Sequence, residues 1–261
     1  MKIATIQLAV NDKESLAQRL AHVEDIFEEI AASAQRPDLI LLPEIWGCGF
    51  FDFDDYEHCA EPLDGRTFTM LSHWAKQLQC WILGGSIIER RGGKLHNTSL
   101  LVDRTGALVG IYRKMHLFGY ESYEQKILTR GEEPTVLDTE FGKIGLSTCY
   151  DLRFPEQYRA MVDRGAELLL VVSAWPEARL VHWRIFNQVR AVENQCWVVS
   201  CNCAGVQKGS RYAGHSMTVD PAGVITAEAG DDECIQWSEI DLTAVDVMRD
   251  VFPALADRVH I

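Results

Sequence analysis

The sequence predicts an α/β fold, one domain of mixed β-sheets with helices packed outside them. Three observations lead there. Short apolar runs such as Leu39–Leu42 and Leu168–Ala174, the second interrupted only by Ser173, have the length and character of buried, parallel-type strands. Turn-forming breaks such as Arg91-Gly92-Gly93-Lys94 mark antiparallel hairpins. Between the strands lie stretches whose apolar residues recur at helical spacing, and such amphipathic helices cover the open faces of sheets. The 261 residues suit one domain spanning 1–261, with no linker, repeat or low-complexity tract.

Taken in order, Lys2–Leu8 reads as the first strand. Glu14–Ala32 reads as a helix with Leu16, Leu20, Val23, Phe27 and Ile30 along one stripe. The strand Leu39–Leu42 runs directly into Pro43-Glu44. Thr67–Gln79 is helical, and Trp81–Ile88 pairs with Leu95–Val102 across the glycine turn. The turn Asp103-Arg104-Thr105-Gly106 leads into Leu108–Tyr112. Met115–Glu133 shows no period and reads as a long loop, the kind that usually carries function in a compact enzyme. Val136–Thr139 and Lys143–Ser147 form a hairpin around Glu140-Phe141-Gly142. Pro155–Arg164 is a helix begun by proline, where a missing N–H costs nothing. Glu167–Ser173 and Trp197–Cys201 are strands flanking the helix His182–Asn194. A last hairpin joins His215–Asp220 to Val224–Ala229, followed by Ile235–Asp241 and a helical tail.

Composition excludes several classes. A net charge of −13, from 25 basic and 38 acidic residues, argues against nucleic acid or anionic membrane as a partner. No apolar run is long enough to span a bilayer, and the polar residues from Asn11 arrive too soon for a signal-peptide core. The eight cysteines include no C-x-x-C pair and read as reduced thiols of a cytoplasmic protein. Neither a G-x-G-x-x-G turn after the first strand nor a P-loop is present, so nucleotide binding has no support.

Three residues stand where chemistry is done. Cys149 ends an apolar strand and precedes a helix begun by Pro155, a position near a helix N-terminus that favours thiolate. The next backbone N–H, that of Tyr150, is free to donate to an oxyanion. Glu44 lies at the mouth of an apolar strand, where partial desolvation raises a carboxyl toward the range of a general base. Lys114 ends its strand in the same way. Alone, each reads better as a buried structural thiol, a turn carboxylate or a surface lysine. His116 offers Cys149 a protease-like base, although it has the spacing of neither a metal site nor a triad.

The combination is specific. The blocks Asp38-Leu39-Ile40-Leu41-Leu42-Pro43-Glu44, Tyr112-Arg113-Lys114-Met115-His116-Leu117-Phe118 and Gly145-Leu146-Ser147-Thr148-Cys149-Tyr150-Asp151-Leu152-Arg153-Phe154-Pro155-Glu156 follow one another in order. Leu83-Gly84-Gly85-Ser86, Asn97-Thr98, Arg190-Ala191-Val192-Glu193-Asn194-Gln195 and Gly214-His215-Ser216-Met217-Thr218-Val219-Asp220-Pro221 accompany them. Together they resemble the nitrilase, or carbon–nitrogen hydrolase, superfamily along nearly the whole chain.

That resemblance implies a four-layer α-β-β-α sandwich with two mixed sheets, commonly paired into a homodimer through helices. It implies Cys149 as nucleophile, Glu44 as general base and acid, and Lys114 with the Tyr150 N–H as oxyanion donors. No metal or cofactor is implied. The family often adds a second glutamate after the lysine, here Glu124 or Glu121. Counting back from Gly131 favours Glu124. The Cys149-Tyr150-Asp151-Leu152-Arg153-Phe154 stretch looks most like the omega-amidases, which hydrolyse small 2-oxo acid amides. Related branches act on deaminated glutathione, carbamoylated amines or nitriles. Trp175 then either walls the substrate pocket or packs the core, and Arg153 either grips a substrate carboxylate or pairs with an acid such as Glu156. Two other readings are a protease using Cys149 and His116, and a silent interaction protein that keeps only the fold.

Overall fold

The computed structural model describes residues 1–259. Its strands are β1 (Lys2–Gln7), β2 (Leu39–Leu41), β3 (Trp81–Arg91), β4 (Lys94–Val102), β5 (Leu108–Arg113), β6 (Thr135–Thr139), β7 (Gly142–Thr148), β8 (Leu168–Ser173), β9 (Trp197–Asn202), β10 (Val206–Gln207), β11 (Ser210–Arg211), β12 (Met217–Val219), β13 (Ile225–Glu228) and β14 (Cys234–Glu239). The α-helices are α1 (Leu16–Ala32), α2 (Tyr56–Cys59), α3 (Arg66–Leu78), α4 (Glu124–Ile127), α5 (Pro155–Asp163), α6 (Leu180–Asn194) and α7 (Thr243–Val251).

Two six-stranded sheets stand face to face, in the orders β14-β1-β2-β3-β4-β5 and β13-β12-β9-β8-β7-β6. Each has a parallel centre, β1-β2-β3 or β7-β8-β9, with antiparallel strands on both flanks. Leu39, Leu41, Leu83, Leu146, Leu170, Val172 and Val199 form the apolar layer between the sheets. Their neighbours in the strands point the other way: Ile40 and Ile82 meet Phe27 and Ile30 of α1 and Leu71 of α3, while Leu169 and Val171 meet Met161 of α5 and Trp183 of α6. Strands so buried on both faces read as continuous apolar runs because each alternate residue has a core to enter. The result is the predicted four-layer sandwich with two mixed sheets.

Local chemistry sets the boundaries. Ser15 and Gln18 form a capping box that starts α1, so the helix begins two residues later than Glu14. The expected loop after Met115 contains one short helix, α4, and its first residue matters below. The ribbon β10–β11 is not foreshadowed by any apolar alternation, because each of its strands is two residues long. In β3 the register shifts between Leu83 and Ser86, at Gly84-Gly85. Gly85 has φ +70°, and a Cβ there would lie 1.9 Å from the Pro43 carbonyl oxygen. Only glycine lets β3 press this closely on the turn that carries Glu44. Among the described residues no helix is long and apolar enough to cross a membrane.

Candidate active site

The strand ends that the sequence singles out converge at one edge of the sandwich. β2 delivers Glu44 through Leu42-Pro43, β5 delivers Lys114, and β7 delivers Cys149. Glu44 and Lys114 therefore come from one sheet and Cys149 from the other. The Glu44 amide donates to the Ser173 carbonyl at the end of β8 (3.3 Å), which fastens the two sheets together at this point.

Glu44, Lys114 and Glu124 are all wholly buried side chains. Lys114 Nζ donates to Glu44 Oε1 (2.8 Å) and to both Glu124 oxygens (2.9 and 3.0 Å). Asn97, on β4, donates from one amide nitrogen to Glu44 (2.8 Å) and Glu124 (3.2 Å). The Ala174 amide donates to Glu44 Oε2 (2.9 Å), and the Phe118 amide to Glu124 Oε2 (2.6 Å). Each carboxylate is thus held by several donors, as a buried charge requires. Burial would lower the Lys114 pKa, but Glu124 and Glu44 together outweigh it and raise it, so the ammonium is held charged. Burial and then the charge of Glu44 push Glu124 upward, against the pull of Lys114. Two carboxylates sharing one lysine cannot both ionise freely without water.

Of the two glutamates in the loop, the structure places Glu124 in this cluster as the first residue of α4. Glu121 lies on the rim of the adjoining pocket, exposed and at φ +49°. Asn97 is the residue that sequence reasoning missed. It stands in the Asn97-Thr98 block, but only the fold shows that β4 points it between two acids.

Cys149 has φ +48°, and Ile45, directly after Glu44, has φ +45°. Non-glycine residues in this region cost about 1–3 kcal/mol each, and they persist where surrounding structure imposes them. Here the turn at Cys149 is imposed by Asp151. That buried carboxylate accepts from the Thr148 amide (2.9 Å), the Tyr112 hydroxyl (2.6 Å), the His116 amide (3.1 Å) and His116 Nδ1 (2.8 Å). One side chain so ties the nucleophile's turn to the segment that follows Lys114. It also occupies His116, whose ring stacks on Phe154 at 3.8 Å between centroids. An Asp–His pair could itself orient a base, but among the described residues His116 makes no hydrogen bond to Cys149 and lines a different pocket from the one that Cys149 opens into, so the protease-like reading finds no base.

The expectation that Cys149 sits in a thiolate-favouring place is corrected by its depth. Burial, followed by the Glu44 charge, raises the thiol above its usual range, while Lys114, the Ser173 hydroxyl and the Ala174 amide pull it back. The resting thiol is neutral, and a neighbouring base must take its proton. A 3-10 run over Cys149–Arg153 makes its first turn bond from the Asp151 amide, so the Tyr150 amide stays outside that run.

Cys149 opens into a pocket of about 440 Å³, and no other cysteine lines it. Phe50, Phe118, Tyr150 and Trp175 give it aromatic walls, and Arg153, Arg179 and Arg211, with Glu121 and Glu177, give it charge, Arg211 facing Glu177 at 3.7 Å. Trp175 is both wall and core: it lines the pocket, is 2% exposed, and donates from Nε1 to the Arg179 carbonyl (2.8 Å). Arg153 is not paired with Glu156 or Asp151. Its guanidinium lies over Trp175 (5.0 Å), Phe186 (5.2 Å) and Tyr150 (5.8 Å), with one long contact to His182 (3.4 Å).

Comparison with known proteins adds the following. The carbon-nitrogen hydrolase family model matches residues 2–250. A 2-oxoglutaramate amidase from Paenarthrobacter nicotinovorans is 35% identical over 99% of this chain and 89% of its own length. Among solved structures, Nit3 of Saccharomyces cerevisiae, a member of branch 10 of the nitrilase superfamily, superposes with a TM-score of 0.83 at 31% identity over 97% of this chain and 94% of its own. XC1258 from Xanthomonas campestris, a CN-hydrolase superfamily protein with an arsenic adduct in its active site, reaches a TM-score of 0.91 at 29% identity over 100% and 98%.

Proposed function

The chain belongs to the carbon–nitrogen hydrolase family, and from that membership we propose that it is an omega-amidase, releasing ammonia from small 2-oxo acid amides through a thioester on Cys149. Glu44 takes the thiol proton as Sγ attacks the amide carbon. Lys114 and the Tyr150 N–H hold the tetrahedral oxyanion, and Glu44 returns the proton to the departing ammonia. Glu44 then deprotonates a water that opens the thioester to the free acid and restores the thiol. Glu124 fixes Lys114 and keeps a second proton-binding group beside it. No metal or cofactor enters these steps, and residues 1–261 act as one domain. The observation that carries the reading is the wholly buried Glu44–Lys114–Glu124 cluster beside a neutral, buried thiol at the floor of a small pocket.

The test is ammonia release from a panel of 2-oxoglutaramate, 2-oxosuccinamate, deaminated glutathione, N-carbamoyl amines and nitriles. A kcat/KM for the two oxo-amides well above all others supports the assignment. Preference for another member moves the chain to that branch of chemistry, and no turnover of any would leave a silent protein.

Arg153 supports an anionic substrate. Burial, with the nearby Arg179 adding to it, holds its guanidinium below the usual arginine range, and it has no acid partner among the described residues. A substrate carboxylate would satisfy it. Arg153→Met should raise KM for 2-oxoglutaramate by a factor worth about 1.5–3 kcal/mol, the scale of a charge-assisted bond. Neutral amides of equal size should change far less. If all substrates suffer alike in a less stable protein, Arg153 is structural instead.

The homodimer is supported by α6, where Val181, Ile185, Val189 and Val192 are 36% to 67% exposed in one stripe along the outer layer. Such a contiguous apolar patch commonly marks an interface. Sedimentation should show a dimer for the wild type and a monomer for Ile185→Asp combined with Val189→Asp. A wild-type monomer would reject this.

A further inference from the structure

The segment that follows Glu44 carries Phe50 and Phe51 into the pocket wall and then turns through α2 toward α3. Its two cysteines, Cys48 and Cys59, are nearly buried and lie far apart in the loop but close in space. Their sulfurs and an Asp55 carboxylate oxygen all sit within 4.8 Å of one another. Cys59 Sγ donates to Asp55 Oδ2 (3.2 Å), and the other Asp55 oxygen faces His58 Nδ1 at 3.3 Å. His58 is 84% exposed, so its ring is free to turn. Two thiols, a carboxylate and an imidazole are the donor set of a zinc-type tetrahedral site. Around such an ion the donors stand about 3.3–3.8 Å apart, so Cys48, Asp55 and Cys59 need to tighten by only about 1 Å, while His58 has to swing in from outside them.

We propose that Cys48, Asp55 and Cys59, with His58 turned in as the fourth donor, bind a divalent cation of the zinc class. Binding exchanges two thiol protons for the ion, leaving two thiolates on the metal. The cation touches no reacting atom. It braces the loop whose Phe50 ring lies 5.2 Å from Lys114 Nζ and whose Phe50 carbonyl accepts from Tyr56 (2.7 Å). Its effect therefore falls on the stability of the pocket wall, and the site stands whether or not the substrate assignment above does.

The test loads the full-length protein with zinc sulfate, or with cadmium as a spectroscopic probe, and then dialyses it. One equivalent of metal per chain is expected in the wild type and in Cys149→Ala, with a sulfur-to-cadmium charge-transfer band in the ultraviolet. Cys59→Ser should lose both. Should Cys59→Ser fail to fold, Asp55→Asn and His58→Ala, at exposed positions, should each weaken binding by about tenfold or more. Loaded protein should melt about 5 °C higher or more, reversibly on chelation, with little change in ammonia release. Metal retention that follows Cys149 rather than Cys59 would overturn the proposal. So would a Cys48–Cys59 pair that loses two hydrogens to a disulfide and takes up no metal, or retention equal in wild type and Asp55→Asn.

Discussion

Replacing Cys149 by alanine is expected to lower kcat for amide hydrolysis by about 10⁴-fold or more, the scale seen when a catalytic nucleophile is removed. The melting temperature should move by no more than about 2–4 °C, since only a small side chain is shortened. Serine should not rescue activity, because its hydroxyl is far harder for a carboxylate to deprotonate than a thiol. With a slowly turned-over amide, mass spectrometry of the wild type should find a single acyl adduct, on Cys149. The pocket contains no other cysteine to take its place. Full turnover in the alanine variant would end the thioester reading.

Replacing Lys114 by methionine should do two things at once. Loss of an oxyanion donor should lower kcat by about 10²–10³-fold. Loss of the only cation that, among the described residues, lies within bonding distance of Glu44 and Glu124 leaves buried carboxylates without their partner, which costs about 3–5 kcal/mol of stability. Part of that cost is recoverable, because one carboxyl can stay protonated. The signature is therefore a variant whose stability improves as pH falls through the raised carboxyl pKa, while activity does not return. Denaturant titrations at several pH values, read beside ammonia release, check both halves. A fully active Lys114→Met enzyme of ordinary stability would show that the lysine serves neither role.

Much of this site was legible in the residues, and the reasons differ from one residue to the next. Glu44, Lys114 and Cys149 each follow an apolar or strand-like run, so their place at strand ends is a local property. Glu124 was open between two positions, because a loop without periodicity gives no register. Burial decided it, by taking Glu124 inside and leaving Glu121 on the rim. Asn97 and Asp151 could not be assigned roles from sequence at all. Their partners lie 27 to 53 residues away for Asn97 and 35 to 39 for the long-range bonds of Asp151. The expected thiolate failed for a related reason: proximity to a helix start is local, but desolvation depends on everything packed around Cys149. Mixed sheets with helices outside them were foreshadowed by the apolar runs and hairpins, and the four-layer sandwich by the family resemblance alone, whereas the β10–β11 ribbon was too short to leave a pattern.

The division of the reacting groups between two sheets has a consequence for the chain when it is cut. A nick at the exposed Glu132-Glu133 step would leave Glu44, Lys114 and Glu124 on one fragment and Cys149 on the other. Neither fragment alone could hydrolyse anything. The second would also carry β14, the strand that closes the first sheet beside β1. Reassembly would then require that strand to be handed back across the break. Ammonia production from the mixed fragments would act as a reporter of their reunion, silent until both halves had found each other in register.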